Sequence, residues 1–465
     1  MREGIGKVQR SRAKATIRSF RGGVNYSLDQ SVLPLSVSSD SFNFDFSGGA
    51  LTEGYGLEAY SPFQNYNLTR VWLYKRYDHE NEVEDDRLLA ITQNGWLLEE
   101  KSGVVKRVGE QTFSGKVGFI NYRLYGEDVC LIASSEGMFV YDGASHPYRV
   151  DNAPRITSMA LHGERLFVTT DGEKNSVWFS DDLDPTNWTV TLEGGGFIQM
   201  LDERGKINKV LEFAGYIYCF RDYGISRISG YGEQTDFAVS NLFVSGGRIY
   251  AGSVTVCGDK IILLAEDGLY AFDGVSTSKI LSNLDGLIES GNNACALYYG
   301  GKYYLAFRRK KDGEVIGSES EIYRNNGLLV LDTEKGDYAL SRGMDITSLC
   351  KIDGEGVVAV TRDGRAGLVE KCGSLYGVSL KKKWVVPKTD LGSGEKKRIR
   401  EVTVYAECPV EIIFRTDERE KKVKFSGKSR VEKKRLNLQG YRVGAEFITV
   451  SKSALISAPS FEFTK

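Results

Sequence analysis

VTVCGDKIILLAEDGLYAFD (Val254 to Asp273) and ITSLCKIDGEGVVAVTRDGRAGLVE (Ile346 to Glu370) carry the pattern that decides the fold. Each holds three short apolar runs joined by two tight turns, the first around Gly258 or Gly354, the second at Asp267-Gly268 or Asp363-Gly364. An Asx-Gly pair between alternating apolar runs is a strong hairpin signal, because a type I′ turn needs positive φ at both central positions. Each stretch predicts a three-stranded meander.

The same grammar recurs at Asn94-Gly95, Glu136-Gly137, Asp171-Gly172, Tyr223-Gly224 and Asn326-Gly327, each preceded by a run such as DRLLAITQNG or YIYCFRDYG. The turn glycines Gly95, Gly137, Gly172, Gly224, Gly268, Gly327 and Gly364 are separated by 42, 35, 52, 44, 59 and 37 residues. Strands repeating every 40 to 45 residues are the signature of propeller blades of four strands each. The longest step contains the charged insertion RRKKDGEVIGSESEIYR, which reads as an extended loop or lengthened hairpin on one rim. The expectation is an all-β chain: a β-propeller of about seven four-stranded blades over residues 47–380, an extended N-terminal arm over 1–46, and a small C-terminal β-sandwich-like domain over 381–465. Six or eight blades stay open, because the first or last hairpin could pair with the N-terminal strand around Ala50 to Tyr60. The C-terminal stretch could also complete a blade.

Composition agrees. The 465 residues include 52 Gly, 25 Tyr and 22 Phe, and no apolar stripe at helical spacing persists for three turns. No run of about 18 apolar residues is present, and the first residues lack the apolar middle of a secretory signal, so neither a membrane nor that export route is expected. The cysteines, Cys130, Cys219, Cys257, Cys295, Cys350, Cys372 and Cys408, are odd in number and form no C-x-x-C pair. They read as buried reduced thiols in a reducing cytoplasm. His162, in LHGE, reads as a solvated turn residue.

Charge is balanced overall at −1 but not along the chain: +6 over residues 1–21, −17 over 22–380 and +9 over 381–435. An acidic body with basic ends suits solvated surfaces, or head-to-tail contacts between copies. The basic segments lack interleaved aromatics, which disfavours nucleic-acid recognition. After Pro387 and Gly392 to Gly394, read as a linker, the runs VTVYAE, VEIIFRT and KKVKFS alternate as half-buried strands do.

Several chemistries find no support. GGGF (Gly194 to Phe197) is not followed by Lys-Ser/Thr and is no P-loop. Asp181, Asp182 and Asp184 lack the glycine and distal glutamate of a calcium loop and read as a capped turn before Trp188. Ser180, Asp182 and Trp188 nearly fit a sialidase Asp-box, but Asp184 stands where glycine belongs, and nothing marks out a catalytic carboxylate pair. No catalytic, metal or cofactor-binding residues are named.

SFRGGVNYSLDQSVLPLSVSSDSFNFDFSGGALTEGYG (Ser19 to Gly56) resembles the opening of a group of tailed-bacteriophage virion structural proteins of the β-propeller type. The matching positions are Phe20, Gly22, Gly23, Asn25, Asn43, Asp45, Gly49, Leu51 and Gly56; Glu53 departs from the basic residue usual there. SVWFSDDLDPTNW (Ser176 to Trp188), TDLGSGEKKRIREVTV and GYRVGAEF are similar to later stretches of the group. The resemblance implies a non-enzymatic component of the tail or head-to-tail region, a nozzle, hub or connector. It implies as partners copies of itself in a ring and neighbouring virion proteins, with transient passage of phage DNA, and a subunit assembled in the host cytoplasm into the virion. On this expectation the arm orders across a neighbouring subunit, and an acidic channel wall repels DNA. The alternative is a host-surface glycan- or protein-binding propeller, with Tyr60, Tyr66 and Tyr231 as rim candidates; a glycoside hydrolase is the reading from a third class.

Overall fold

The computed structural model describes residues 12–78, 81–192, 194–230, 234–310 and 325–464. The chain is all-β, with short 3-10 turns as its only helical elements among the described residues. Six antiparallel sheets of four strands follow one another, over residues 68–112, 118–150, 156–199, 207–244, 255–280 and 288–342; a seventh takes three strands from 346–370, a fourth from 56–59 and two short ones, Ser374–Leu375, parallel to the fourth, and Val378–Ser379. Each is a meander in which neighbouring strands are consecutive in sequence, apart from the strand added from 56–59.

The second strand of a sheet is buried on both faces, as Arg87–Thr92 and Arg165–Thr170 are. This is why LLAI, LFV, IILL and VVAV read as continuous apolar runs: a strand covered by a sheet on either side has no solvent face. Seven clusters provide that cover. Tyr74 and Leu89 of the first sheet pack with Phe119 and Ile132 of the second. Leu131 of the second meets Val168 of the third, and Phe167 of the third meets Cys219 of the fourth. Phe220 of the fourth packs with Leu263 of the fifth, and Leu264 of the fifth with Leu305 of the sixth. Ala306 of the sixth packs with Ala359 of the seventh. Val358 and Val360 of the seventh pack with Val71 and Ala90 of the first, so the series returns to its start in a propeller-like arrangement.

The expected hairpins are present, but their turn type differs. Ser134 pairs with Gly137 and Ala265 with Gly268, so the central residues are Ser135-Glu136 and Glu266-Asp267. Neither Asn94, Asp267 nor Asp363 has positive φ, whereas Gly137 and Gly268 have φ of 131° and 142°. Glycine therefore closes the turn in its fourth position, as in a type I turn, and the type I′ expectation is corrected. The fourth strand of several sheets escaped the pattern because it lies outermost and mostly exposed, as Val104–Thr112 and Ala238–Val244 do, whereas that of the sixth, Tyr338–Arg342, is buried under the N-terminal segment. The insertion falls largely on residues 311–324, outside the described residues.

Residues 382–464 form two sheets packed on each other, and the N-terminal segment is woven through both. Arg12–Thr16 pairs with Leu455–Thr464, Asp40–Phe42 with Lys382–Thr389, and Leu51–Glu53 with Leu455–Thr464. The segment expected as an extended arm reaching a neighbour is thus spent, from Arg12 onward, on its own chain, and the unit it joins extends to Glu53 rather than ending at 46. The stretch around Pro387, read as a linker, is the strand Lys382–Thr389, whose Trp384 is fully buried. Pro387 fits because the ladder breaks register between Val386 and Thr389, where a missing N–H costs nothing. Phe20 and Phe46 stand edge-on to Trp384 at 5.2 and 5.4 Å, contacts worth about 0.5–1.5 kcal/mol each beyond their burial. The same cluster runs on into Leu305 and Leu329 of the sixth sheet, so both units share one core.

From Glu53 the chain passes to Gly56–Ala59, which pairs antiparallel with Ala366–Glu370 and supplies the seventh sheet's fourth strand, Gly56 facing Glu370 and Ala59 facing Gly367. The segment around Ala50 to Tyr60 takes the role left open from sequence. Gly56 lies so close to Ser374 that a Cβ there would sit 2.0 Å from the Ser374 carbonyl oxygen. Backbone must move to admit any side chain. Gly56→Ala is expected to destabilise the chain by about 1–3 kcal/mol, read as a lowered urea midpoint with unchanged slope; an unchanged midpoint contradicts the tight closure.

Candidate functional site

The positions carrying the family-like motif come together at the junction of the N-terminal segment, the sixth sheet and the C-terminal unit. Asn43, at φ 62°, donates its backbone N–H to Leu340 O at 2.8 Å and its side-chain amide to Lys381 O at 2.8 Å, while its Oδ1 accepts from Arg342 N at 2.7 Å. Asp45 is ion-paired with Lys371 and accepts from Ser47 N at 3.0 Å. Asn25 Oδ1 caps the turn at Ser27 and Leu28. Phe20 N–H donates to Gly49 O at 2.9 Å, and Gly23 N–H to Phe20 O at 3.1 Å. A Cβ on Gly22 would meet Ser36 O at 2.6 Å. Nearby, buried Arg309 is ion-paired with Asp40, takes a hydrogen bond partner in Tyr26 Oη at 2.8 Å, and shares the Phe42 ring with Arg342 and Lys383. Burial pulls the Asp40 carboxyl upward, but the charge of Arg309, the Tyr26 hydrogen bond and Lys383 together outweigh it and hold the group below the ordinary carboxylate range. These groups hold structure; their chemistry is saturated by one another. The seven turn glycines, one per sheet, are not brought together.

What the seven sheets do bring together is a cavity of about 1130 Å³. The opening residues of four first strands line it, Thr69-Arg70, Thr157, Asn208-Lys209 and Thr347-Ser348, with Gly115 to Val117 entering from the segment before the second sheet, Ile249 to Gly252 from that before the fifth and Asn292 to Ala296 from within the sixth's first strand. These residues lie beside the turn glycines, since Leu68 pairs with Thr92, Ile156 with Thr170, Ile207 with Arg221 and Ile346 with Thr361.

A bulge aims them. The ladder between first and second strands breaks at Leu68/Arg70, Ile156/Ser158, Ile207/Lys209 and Ile346/Ser348. The sequence there reads LTR, ITS, INK and ITS: an apolar anchor, a bulged Thr or Asn, then a polar residue turned inward. Three of those third residues bridge to the next sheet. Ser348 Oγ donates to Thr69 O at 3.1 Å, Val210 N–H donates to Ser158 Oγ at 3.3 Å, and Lys209 Nζ donates to Val254 O at 2.6 Å. Arg70 makes no such bond. Sequence reading passed over these residues, although the recurring apolar-Thr/Asn-polar triplet was the signal that marks them.

The cavity is strongly basic. At its mouth, Arg362 pairs with Asp345 at 2.8 Å, Lys174 with Asp171 at 3.6 Å and Arg248 with Asp222 at 3.5 Å. Beside these pairs, Arg70 and Lys116 have no hydrogen bond or ion pair, and no carboxylate faces Lys209, among the described residues. Burial, then the charges of Lys116 and Arg70, push the Lys209 amine down to about 7. The Cys295 thiol in the same wall is pushed up to about 12 by burial. The acidic sum of the chain's body therefore resides elsewhere than on this wall.

Other expected candidates resolve differently. Tyr60 is buried at 7 % exposure and Tyr66 is packed against the same cluster, so neither is a rim contact residue; Tyr231 lies outside the described residues. His162 is not a solvated turn residue: it ends the strand Ile156–His162, buried, and burial lowers its pKa. Asp181 and Asp184 cap the turn as expected, accepting from Asn187 Nδ2 at 2.8 Å and Thr186 N at 2.9 Å. Five of the seven cysteines are buried, and all seven are free thiols.

No protein-family model and no curated protein matches the sequence. Among solved structures, the chain is similar to BBS1N, crystallised in complex with ARL6DN, at 12% identity and a TM-score of 0.43, over 68% of this chain and 96% of that one. It is also similar to the extracellular domain of the putative one-component system BT4673 from B. thetaiotaomicron, at 12% identity and a TM-score of 0.43, over 82% of this chain and 47% of that one. The computationally designed Ika8 protein matches at 12% identity and a TM-score of 0.41, over 68% and 99%.

A lysine whose folded-state pKa lies below its unfolded value, near 10.4, binds fewer protons folded than unfolded between those limits. Its ionisation therefore costs stability, fully below about pH 7 and not at all above about pH 10.5. Lys209→Met removes that cost along with the bond to Val254. The stability difference, variant minus wild type, is expected to rise by about 4 kcal/mol as pH falls from 10.5 to 7, read from paired thermal melts; a flat difference contradicts the depressed amine.

Proposed function

We propose that the chain is a non-enzymatic structural subunit of a tailed-bacteriophage virion, a closed seven-bladed propeller that assembles with copies of itself in a ring in the tail or head-to-tail region. The observation that carries this reading is where the family-like motif is spent. Phe20, Gly22, Gly23, Asn25, Asn43, Asp45, Gly49 and Gly56 lie at the seam joining propeller and C-terminal unit, so the resemblance falls on residues that make a stiff two-part body. Closure of the propeller is supported by the cyclic series of apolar clusters and by the cavity lined from five sheets and from the segments that enter the other two.

Charge supplies the means of assembly. The strands Glu420–Phe425 and Val431–Gly440 carry exposed lysines, including Lys422, Lys424 and Lys433, at one end of a chain whose body is acidic. Contacts between a basic end and the acidic body of the next copy repeat around an axis and close into a ring when the rotation permits. Because the N-terminal segment is built into its own chain, assembly proceeds surface to surface rather than by arm exchange.

Light scattering and negative-stain imaging of the full chain test this. A ring of fixed order at low ionic strength, dissociating as salt is raised, is expected, together with many copies per particle when purified virions are digested and their peptides quantified. A chain that is monomeric at every concentration and missing from purified virions overturns the proposal.

A further inference from the structure

The cavity wall contains three cations that no carboxylate among the described residues pairs with. Arg70 comes from the first sheet, Lys116 from the turn entering the second and Lys209 from the fourth, so they approach the same space from different sides. Each is close enough to weigh on the next: Arg70 acts on Lys116, and both act on Lys209. The two carboxylates in the wall, Asp171 and Asp345, are already engaged by Lys174 and Arg362. Convergent like charges in a recess are a standing cost that an ordinary structural role does not require. Ser158 and Ser348 occupy the position equivalent to Arg70 and complete the inter-sheet bonds without any charge.

We propose that the cavity is a binding site for a small phosphate-bearing anion, held between the guanidinium of Arg70 and the ammonium groups of Lys116 and Lys209. The chemistry favours phosphate over a monocarboxylate. A planar guanidinium fork grips two oxygens of one group, and two point-charge ammoniums from other directions suit an anion with several charged oxygens. Thr157, Asn292 and Asn293 add neutral donors in the same wall. The volume accommodates a nucleotide-sized molecule or a short polyphosphate, and Lys116, exposed to solvent, marks an open way in.

The probe is tripolyphosphate, titrated calorimetrically into the full chain at low ionic strength, with citrate as the carboxylate comparison. Binding of one tripolyphosphate per chain is expected, with citrate at least about 10-fold weaker. The double variant Arg70→Gln, Lys116→Gln is expected to bind at least about 100-fold more weakly, yet to melt no lower than wild type in the absence of anion, since like-charge repulsion has been removed. Lys116→Gln alone, at an exposed position without bonds, is expected to weaken binding about 10-fold and carries the test if the double variant does not fold. Lys422→Gln with Lys424→Gln, on the exposed C-terminal strand, is expected to leave affinity unchanged. Absence of heat with tripolyphosphate, equal binding of citrate, or an equal loss in the C-terminal variant overturns the assignment. Because the probe is read on the isolated chain, its outcome is independent of ring formation.

Discussion

The pairing of Gly56–Ala59 with Ala366–Glu370 is the constraint on which the rest of the molecule depends. Three strands of the seventh sheet come from the end of the repeat series and the fourth from before its beginning, so first and last sheets are tied through backbone hydrogen bonds rather than side-chain packing alone. Without that strand, Ala366–Glu370 would be an open edge, with unpaired N–H and C=O groups free to recruit another chain. The close approach of Gly56 to Ser374 fixes where the closing strand can lie, because any Cβ would collide with a carbonyl. Leu57, fully buried in the cluster shared by sixth and seventh sheets, then anchors the strand from its apolar side.

That closure explains why the N-terminal segment is built as it is. A strand delivered from residue 56 must be held while a further 300 residues are folded against it, and the segment from Phe20 to Glu53 supplies the hold. It inserts aromatic side chains into the C-terminal core and accepts backbone bonds from the sixth sheet. Propeller and C-terminal unit are therefore interdependent: the tail sheets need Asp40–Phe42 and Leu51–Glu53 as strands, and the propeller needs the tail sheets to position its closing strand. Removing the segment would disrupt both at once, so its loss reports on folding before it reports on assembly.

How much of this was legible follows from contact range. The hairpins around Gly95, Gly137, Gly224, Gly268 and Gly364 were readable because second and third strands lie side by side in sequence and are apolar on both faces. Outermost strands such as Thr277–Ile280 were not, since a half-solvated edge strand leaves a weak pattern. Turn type was misjudged because Asp-Gly places glycine equally well at the centre of one turn or the end of another, and only the register, Ala265 against Gly268, separates them. Partners of the N-terminal segment lie hundreds of residues away, which no local periodicity encodes. The cationic wall was hidden for a different reason: Arg70, Lys116 and Lys209 are unremarkable singly, and only the triplet repeated at the start of four first strands shows that Arg70 and Lys209 share an address, while Lys116 joins them through the fold alone.

The triplet also bears on why the wall is uneven. Serine at the third position joins one sheet to the next with a neutral hydroxyl, and Ser158 and Ser348 do this without burying any charge. Lys209 makes the same kind of bond with an amine, at the cost of a proton affinity depressed by burial and by its neighbours. Arg70 makes none and so contributes nothing to holding its sheet against the next. Were inter-sheet bonding the sole demand on these positions, a hydroxyl would serve at all of them, and the departures at 70 and 209 would only weaken the body. Their charge is instead placed in the wall of the cavity that the first strands border, where a partner of opposite sign would relieve all three cations at once.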